Sequence, residues 1–231
     1  MGTLLLQLIG PMQSWGVQSN FTHRDTGLEP SKSGVIGLVC AALGRRRDEP
    51  IDHLTELRMG VRVDREGLVK YDYHTAGKSI DDKGGFLRAS GDIERKDVVV
   101  SYRFYLADAA FLVGLEGDNL ELLSEIHHHL QNPVWFLCLG RKALVPGEPV
   151  WLPDGFKSDE ELEAALQTYP RLREKRSQFN DERTRLVIED THGEIVRPDQ
   201  PISFAKGRRQ CTVRRLHVAF CTPPSVKKEE R

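Results

Sequence analysis

Hydrophobic and polar residues follow each other along the first third of the chain with periods that predict strands and one helix. The apolar run from Leu4 to Ile9 predicts a buried strand, and the residues from about Ser33 to Leu43 predict a helix. Residues 57–64 and 68–75 alternate between apolar and polar positions on either side of Arg65-Glu66-Gly67. This period of two residues, interrupted by a turn that contains glycine, predicts a β-hairpin.

The middle of the chain continues with strands and a second helix. Residues 98–106 and 109–115 predict two strands, whereas Asp118–Leu130 has the capped, amphipathic pattern of a helix. The apolar run Val134–Leu139 predicts a further buried strand. The resulting order, β-α-β-β-α-β, is that of a ferredoxin-like or RRM-like unit, so we expect an α+β domain over residues 1–145.

The remaining residues predict a smaller domain. Pro146–Pro153 has the composition of a connector, and Ser158–Leu166 begins with acidic residues that favour the first turn of a helix. Short strands are predicted at residues 185–189, 193–196 and 212–220. We therefore expect a small β-rich second domain over residues 146–231.

The charge balance excludes a chain that is basic throughout. Of the 231 residues, 33 are Lys or Arg and 34 are Asp or Glu, so the formal net charge is -1. Binding to nucleic acid would therefore depend on local clusters of cations. Such clusters occur at Arg45-Arg46-Arg47, at Arg88 with Arg95-Lys96, and from Lys206 to Arg215.

The cysteines and the N-terminus favour a reduced, cytoplasmic protein. The 4 cysteines have no C-x-x-C spacing and lie in apolar or strand-like surroundings. The apolar run Leu4–Ile9 is too short to cross a membrane and lacks the charged start of a signal peptide.

The junction between the first strand and the first helix has the composition of an anion site. Because Ser31-Lys32-Ser33-Gly34 begins the helix, its first backbone N–H groups and the Lys32 side chain could hold a phosphate. A nucleotide-binding P-loop is excluded because Thr26 and Ser31 stand where its two glycines would be. An ordinary helix N-cap is the alternative. Further candidate phosphate donors on the same loop are Gln13, Ser14, Arg24 and Thr26.

The N-terminal motifs resemble those of a known family. The segments GPMQSWG (residues 10–16), RDTG (24–27) and PSKSGVIGLVCAALG (30–44) are similar to the signature of CRISPR-associated RAMP proteins. Within these proteins, the similarity is to the Cas-five family subunit of type I-E Cascade, whose usual form is PTKSG. Weaker similarity occurs at His74-Thr75, at residues 105–111 and at Leu139-Gly140-Arg141-Lys142.

The resemblance implies a non-catalytic RNA-binding subunit of a type I-E CRISPR Cascade complex that caps the 5′ handle of the CRISPR RNA in antiviral defence. Its partners would be the CRISPR RNA, the backbone RAMP subunits and the large subunit that reads the PAM. The resemblance also implies that residues 76–97 form a protruding thumb. Candidate RNA contacts in and beside this segment are His74, Lys78, Phe86 and Arg88. A solvated loop is the alternative.

Two further groups of cations are candidate RNA contacts. Arg141 and Lys142 follow a predicted strand and would stand at the end of a sheet, although a solvated turn fits the sequence equally well. Lys206, Arg208 and Arg209 could bind RNA or an acidic partner protein, and the sequence does not separate these two possibilities.

Catalysis and metal binding receive less support. Metal-independent RNA cleavage needs a general base and a general acid, and related proteins of type I-C systems use a His, a Lys and a Tyr. His23, Tyr73 and His74 are candidates, but they form no compact group with a lysine, so a structural or RNA-stacking role is favoured. A metal-independent endoribonuclease that processes CRISPR repeat RNA is the alternative. Consecutive helical residues point about 100° apart, so His127–His129 cannot chelate one ion, and we expect no metal or cofactor.

Overall fold

The computed structural model describes residues 1–17, 22–76, 86–87, 93–94, 99–173 and 183–225. Within them the protein is a mixed α/β structure, rich in sheet and with few helices. The helices are α1 (Lys32–Leu43), α2 (Asp52–Thr55), α3 (Leu120–Gln131) and α4 (Leu162–Thr168). The strands are β1 (Gly2–Ile9), β2 (Met12–Gln13), β3 (His23–Arg24), β4 (Arg58–Arg65), β5 (Leu68–Ala76), β6 (Phe86–Leu87), β7 (Ile93–Glu94), β8 (Val99–Ala107), β9 (Ala110–Gly117), β10 (Trp151–Lys157), β11 (Thr184–Glu189), β12 (Ile195–Ser203) and β13 (Gln210–Cys221).

Seven strands form one large sheet in the order β10-β1-β9-β4-β11-β13-β12. Each neighbouring pair in this sheet is antiparallel. Strands from the two halves of the chain lie side by side, because β1 pairs with β10 and β4 pairs with β11. The division into domains 1–145 and 146–231 stays a prediction, and the large sheet continues across it.

Helices cover both faces of the large sheet. On one face, α1 and α3 pack in the same apolar cluster as Leu4, Leu6 and Leu8 of β1. On the other face, α4 packs in a cluster with Leu5 and Ile9. Because alternate residues of a strand point to opposite faces, β1 is buried on both sides, which accounts for its continuous apolar run. None of the helices in the described residues is long and apolar enough to cross a membrane.

A smaller sheet contains β2, β8 and β3, with β5 also paired to β8. The ladder between β5 and β8 runs from Leu68 opposite Ala107 to Ala76 opposite Val99. The predicted hairpin between β4 and β5 is therefore wrong in its pairing, although both strands form. The physical reason is that β4 already has β9 on one edge and β11 on the other, so it has no edge left for β5.

The predicted buried strand at residues 134–139 is also wrong. Val134 and Trp135 donate their backbone N–H groups to the carbonyl oxygens of Ala42 and Ala41, at 3.0 and 3.1 Å. Carbonyl groups in the last turn of a helix lack partners within it, so this segment completes the end of α1 instead of joining the sheet. The strand that pairs with the outer edge of β1, opposite β9, is β10, which begins inside the predicted connector.

The predicted thumb at residues 76–97 lies mostly outside the described residues. The described part contains β6 and β7, which pair antiparallel with Phe86 opposite Glu94 and Leu87 opposite Ile93. The protrusion of this segment stays a prediction.

Candidate nucleic-acid interface

The N-terminus of α1 is capped by the protein's own side chains. Ser31 precedes the helix with an extended backbone, and its Oγ accepts the N–H of Gly34 at 3.3 Å. The carboxylate of Asp199, on β12, accepts the N–H of Lys32 at 2.9 Å. Ser33 is buried beside them. Two of the donors that the sequence assigned to phosphate are thus already bonded, so the geometry corresponds to the helix cap that was the alternative.

Lys32 is an internal cation. Its Nζ lies 2.9 and 3.0 Å from the two carboxylate oxygens of Glu189, and 1% of its side chain is exposed. Arg214 places Nε 2.7 Å from Asp199 and Nη1 3.3 Å from Glu189. Burial lowers the pKa of Lys32, and the Glu189 carboxylate opposes that shift. We call these four residues, Lys32, Glu189, Asp199 and Arg214, the buried charge cluster. The predicted phosphate contact of Lys32 is wrong, because the ammonium group of Lys32 is already paired with Glu189 inside this buried charge cluster.

Three other predicted phosphate donors are also used inside the protein. Gln13 is fully buried, and its Nε2 donates to backbone carbonyl oxygens at 2.9 and 3.0 Å. The Ser14 hydroxyl donates to the carbonyl oxygen of Phe104 at 3.1 Å. The Thr26 hydroxyl accepts the N–H of Trp15 at 2.9 Å. These side chains hold the loop between β1 and α1 in place, and their hydrogen bonds correct the prediction that they face RNA.

The outer side of α1 forms one wall of a groove of about 470 Å³, which we call the α1 groove. Small residues of the helix, Gly34, Gly37 and Ala41, line it. Residues three and four apart lie on the same side of a helix, so these three share one side of α1. At Gly34 the ring of Trp15 fills the space beside the backbone, 2.8 Å from an added Cβ, whereas Gly37 is open. At Gly37, the first atom that an added Cβ would meet is Cζ of Phe204, at 4.0 Å. A ligand can therefore approach the helix closely here.

Cations from three separate parts of the chain line the α1 groove. They are Arg45, Arg46, Arg47, Lys142 and Arg209. Within the described part of the chain, no carboxylate lines the groove. Arg46 forms an ion pair with Asp48 at 3.4 Å, but 74% and 72% of these two side chains are exposed. Five cations against this one paired carboxylate leave the groove with an excess of positive charge.

Two exposed aromatic residues stand beside these cations. Trp135 and Phe136 line the α1 groove, with 45% and 100% of their surface exposed. The hydrogen bonds of this segment to the last turn of α1 hold the rings at the groove. Cations that contact phosphates and rings that stack on bases are the usual combination in proteins that bind single-stranded nucleic acid.

A second positive region, the arginine cluster, consists of Arg24, Arg103 and Arg141. Nη2 of Arg141 donates to the carbonyl oxygens of Arg24 and Asp25, at 2.8 and 3.3 Å, and its guanidinium lies 4.8 Å from the centre of the Tyr105 ring. Burial lowers the pKa of Arg141, and the charges of Arg103 and Arg24 act in the same direction. No carboxylate among the described residues forms an ion pair with these three arginines.

The turn at Gly140 joins the two positive regions. Gly140 has a φ of +92°, and an added Cβ would lie 1.7 Å from the carbonyl oxygen of Ser14. Only glycine fits this close approach without a shift of the backbone. The turn directs Arg141 to the arginine cluster, while Lys142 lines the α1 groove.

The candidate catalytic residues do not share one site. Successive residues of β5 point to opposite faces of the small sheet, so Tyr73 and His74 are separated. The ring of Tyr73 lies 5.5 Å from that of Tyr102, which also stacks on His23 at 5.3 Å. His74 instead places Nδ1 3.3 Å from the carboxylate of Asp72.

The remaining candidate RNA contacts lie partly at the α1 groove and partly outside the described residues. Lys206, Arg208 and Arg209 are exposed on the turn between β12 and β13, and Arg209 reaches the α1 groove. Lys78, Arg88 and the side chain of Phe86 lie outside the described residues. Among the residues that the structure describes, no group of three His, Cys, Asp or Glu side chains could hold a metal ion.

A family model described as CRISPR-associated protein (Cas_Cas5) matches residues 3–217 of the chain. The chain belongs to the Cas5 family. A curated relative is CRISPR system Cascade subunit CasD of Escherichia coli (strain K12). It is 31% identical over 157 residues, which are 64% of this chain and 69% of the relative.

Two solved structures extend this similarity to almost the whole Cas5 fold. A structure described as "Crystal structure of Cas protein" is 40% identical, with a TM-score of 0.73 and 95% of each chain covered. A chain of a "CRISPR RNA-guided surveillance complex" is 33% identical, with a TM-score of 0.78 and coverage of 100% of this chain and 95% of that one. The family assignment therefore includes the segments that form the α1 groove and the arginine cluster.

Sequence reasoning missed three residues of this Cas5 surface. The apolar run that contains Trp135 and Phe136 predicts a buried strand, although Asn132-Pro133 directly before it is a signal that the chain changes course after a helix. Arg103 lies within an aromatic strand pattern, and nothing in its immediate neighbours indicates that two other arginines lie close to it.

Proposed function

We propose that this chain is a non-catalytic RNA-binding subunit of a type I-E CRISPR Cascade complex, a cytoplasmic ribonucleoprotein, and that it caps the 5′ handle of the CRISPR RNA. The observation that carries the proposal is the α1 groove, which combines five cations with two exposed aromatic rings. The similarity to a Cascade subunit and to a chain of a CRISPR RNA-guided surveillance complex supports it. The partners are then the CRISPR RNA, the backbone RAMP subunits and the large PAM-reading subunit.

The strand order of the large sheet supports a ferredoxin-like core for this function. The elements β1, α1, β4, β9, α3 and β10 follow each other as β-α-β-β-α-β, and the four strands lie in the order β10-β1-β9-β4. The two helices share one face of this sheet, since both contribute to the same apolar cluster. In this core, β10 takes the place that the sequence assigned to residues 134–139.

The ladder of the small sheet supports a thumb at residues 76–97. Ala76 of β5 lies opposite Val99 of β8, so the chain leaves and re-enters the ladder at the same end. A segment that begins and ends at one end of a two-stranded ladder is suited to reach away from the rest of the domain.

The proposed RNA contacts divide into two kinds. The first kind is contacts with phosphates, which fix the position of the RNA strand without reading its sequence. The cations of the α1 groove make them: Arg45, Arg46, Arg47, Lys142 and Arg209. The arginine cluster continues this positive surface beyond the Gly140 turn. Selectivity for the handle then comes from a few contacts with bases that are not paired.

A triple variant of the groove tests the proposed function. Replacing Arg45, Arg47 and Lys142 with Ala removes three phosphate contacts, and each contact with single-stranded nucleic acid contributes about 0.7 to the slope of log K against log salt. We expect the slope for a handle RNA to fall by about 2. Lys157→Ala, on β10 at the far edge of the large sheet, is the control and leaves the slope unchanged. An unchanged slope in the triple variant contradicts the assignment of the groove.

A cleavage assay tests the absence of catalysis. His23 and Tyr73 share one face of the small sheet while His74 lies on the other, which favours binding over acid-base chemistry. We expect the chain, in excess and in EDTA, to leave labelled repeat RNA intact while it shifts RNA with a mature handle in a gel. Site-specific cleavage that disappears in His23→Ala or His74→Ala would establish the endoribonuclease instead.

A further inference from the structure

One side of the small sheet carries a layer of aromatic rings, which we call the aromatic face. Its members are His23, Tyr71, Tyr73, Tyr102 and Phe104. The register of the sheet places them together, because Tyr71 lies opposite Phe104, Tyr73 opposite Tyr102, and His23 beside Tyr102. Residues opposite each other in neighbouring strands point to the same face.

The rings form one continuous layer around Tyr102. His23 stacks on Tyr102 with the ring planes 20° apart and the centres 5.3 Å apart. Tyr73 meets the same ring edge-on at 5.5 Å, and Tyr71 lies 6.5 Å away. Tyr71 also lies 5.9 Å from Phe104. The ring contacts hold this surface in a defined arrangement before any ligand arrives.

The aromatic face is exposed, although rings at this density normally become buried. The exposed fractions are 66% for Tyr71, 55% for Tyr73 and 36% for Tyr102. Cross-strand aromatic pairs stabilise a sheet, which explains why the rings lie opposite each other. It does not explain why they are left exposed to solvent. A contiguous exposed aromatic surface is typical of a binding site.

The charges on the opposite side of the same sheet indicate the kind of ligand. Arg24 of β3 lies beside Arg103 of β8 in the register, and both belong to the arginine cluster with Arg141. The register also places Asp72 opposite Arg103, on the same side as the arginines, where its carboxylate lies 3.3 Å from Nδ1 of His74. The thin sheet therefore has rings on one side and an excess of cations on the other, with no ion pair between these arginines and a carboxylate of the described residues. Single-stranded RNA carries both flat bases, which can stack on the rings, and phosphates, which the arginines attract at the edge of the sheet, whereas an aliphatic protein surface matches neither the cations nor the polar tips of the rings.

We propose that the aromatic face is a second RNA subsite that binds unpaired bases of single-stranded RNA by stacking. Tyr71 and Tyr73 are the most exposed tyrosines of this face and contact the bases, and Tyr102 on the neighbouring strand positions them from the side. The arginine cluster attracts the adjacent phosphates at the edge of the sheet. This inference rests on the proposed function, since it assigns bases of the same RNA to a surface separate from the α1 groove.

The test compares two double variants of the full chain. Tyr71→Ser with Tyr73→Ser removes the rings, while Tyr71→Phe with Tyr73→Phe keeps them and controls for folding. The probes are short single-stranded RNAs of the handle sequence with 2-aminopurine placed at one position after another. Stacking quenches this base, so wild type and the Phe variant quench it at one or two positions, and the Ser variant does not.

Affinity and salt dependence give two further measurements. Stacking contributes about 1–3 kcal/mol per base, so the Ser variant should bind the RNA about 5- to 150-fold more weakly. Its salt slope should equal that of wild type, because no cation is removed. On RNA with abasic nucleotides at the quenched positions, wild type and the Ser variant should bind equally.

The outcomes separate this proposal from the proposed function. If the Ser variant binds and quenches like wild type while the α1-groove variant loses affinity, the aromatic face is not an RNA subsite and the proposed function stands. If the groove variant also keeps full affinity, both proposals fail. A Ser variant that retains full RNA binding but no longer co-purifies with the other subunits shows a protein interface, and this result also overturns the proposal.

Discussion

The two ends of α1 carry similar residue types and use them in opposite ways. At the N-terminus, Lys32 and Arg214 are buried and face the carboxylates of Glu189 and Asp199, which lie 157 and 167 residues away from Lys32 in the sequence. Along the outer side and C-terminus, the cations of the α1 groove face solvent without a lining carboxylate in the described residues. A cation is therefore available to a ligand where the fold brings no carboxylate to it.

The largest expected effect comes from removing one member of the buried charge cluster. Asp199 is fully buried and accepts from Arg214 at 2.7 and 2.9 Å as well as from the Lys32 backbone. Asp199→Ala leaves Arg214 buried with less negative charge beside it. Removing one partner of a buried ion pair costs about 3–5 kcal/mol, so we expect a loss of that size in the free energy of unfolding.

Urea unfolding measures this loss, and Asp159→Ala on the surface is the matched control. The salt slope for RNA, measured under conditions where the Asp199→Ala variant is folded, should be that of wild type. A stability change below about 1 kcal/mol would mean that the cluster contributes no more than an exposed ion pair.

Matched substitutions of two lysines sharpen the comparison. Lys32→Met should lower the free energy of unfolding by about 2–3 kcal/mol, because it removes a charged donor 2.9 Å from Glu189, and should leave the salt slope for RNA unchanged. Lys142→Met should leave stability within about 0.5 kcal/mol and lower the slope by about 0.7. The comparison fails if Lys32→Met also lowers the slope, because that side chain would then contact phosphate.

Acid should weaken a second buried ion pair, between the loop before α1 and the large sheet. Glu29 is bonded to Arg185, at 2.9 Å, and to Arg197. Burial raises the pKa of Glu29, but the two arginines lower it by more, so the pKa lies below the usual 4.5 in the folded state. The contribution to stability is therefore complete above about pH 4.5 and is lost as the pH falls through the lower, folded-state pKa.

The measurement is urea unfolding of wild type and Glu29→Gln from neutral pH to about pH 3. Wild type should be more stable by about 1–3 kcal/mol at neutral pH, the amount expected for hydrogen bonds to a charged group. The difference between the two proteins should shrink below about pH 4.5. A difference that is constant over this range would exclude a lowered pKa.

Elements whose signals are local could be predicted from the sequence. The strand at Leu4–Ile9, the helix beginning near Ser33 and the helix around residues 118–130 all form close to their expected bounds. Their periodicity and caps depend on neighbouring residues, which the sequence displays directly. The family was also visible in these local motifs, and the family model confirms it.

Pairing and counter-charges could not be predicted, because they depend on segments that are distant in the sequence. Nothing near β4 indicates that β11, more than a hundred residues later, occupies the edge that a hairpin partner would need. Nothing near Lys32 indicates Glu189. For the same reason, the sequence predicts a buried strand for the run with Trp135 and Phe136, whereas the backbone N–H groups of Val134 and Trp135 bond to carbonyl groups of α1.

The smallest expected effect concerns Asp48, the acidic residue that forms an ion pair with Arg46 of the α1 groove. Asp48 lies 3.4 Å from Arg46, and both side chains are about three-quarters exposed, at 72% and 74%. Asp48→Asn should change stability by less than about 0.5 kcal/mol, because exposed ion pairs contribute little to folding. It should strengthen RNA binding by about two- to fivefold, because Arg46 then interacts with phosphate without competition. Asp159→Asn makes the same change in net charge beyond β10, far from the groove, and should not alter affinity. Equal strengthening by both variants would mean that RNA responds to net charge rather than to the α1 groove.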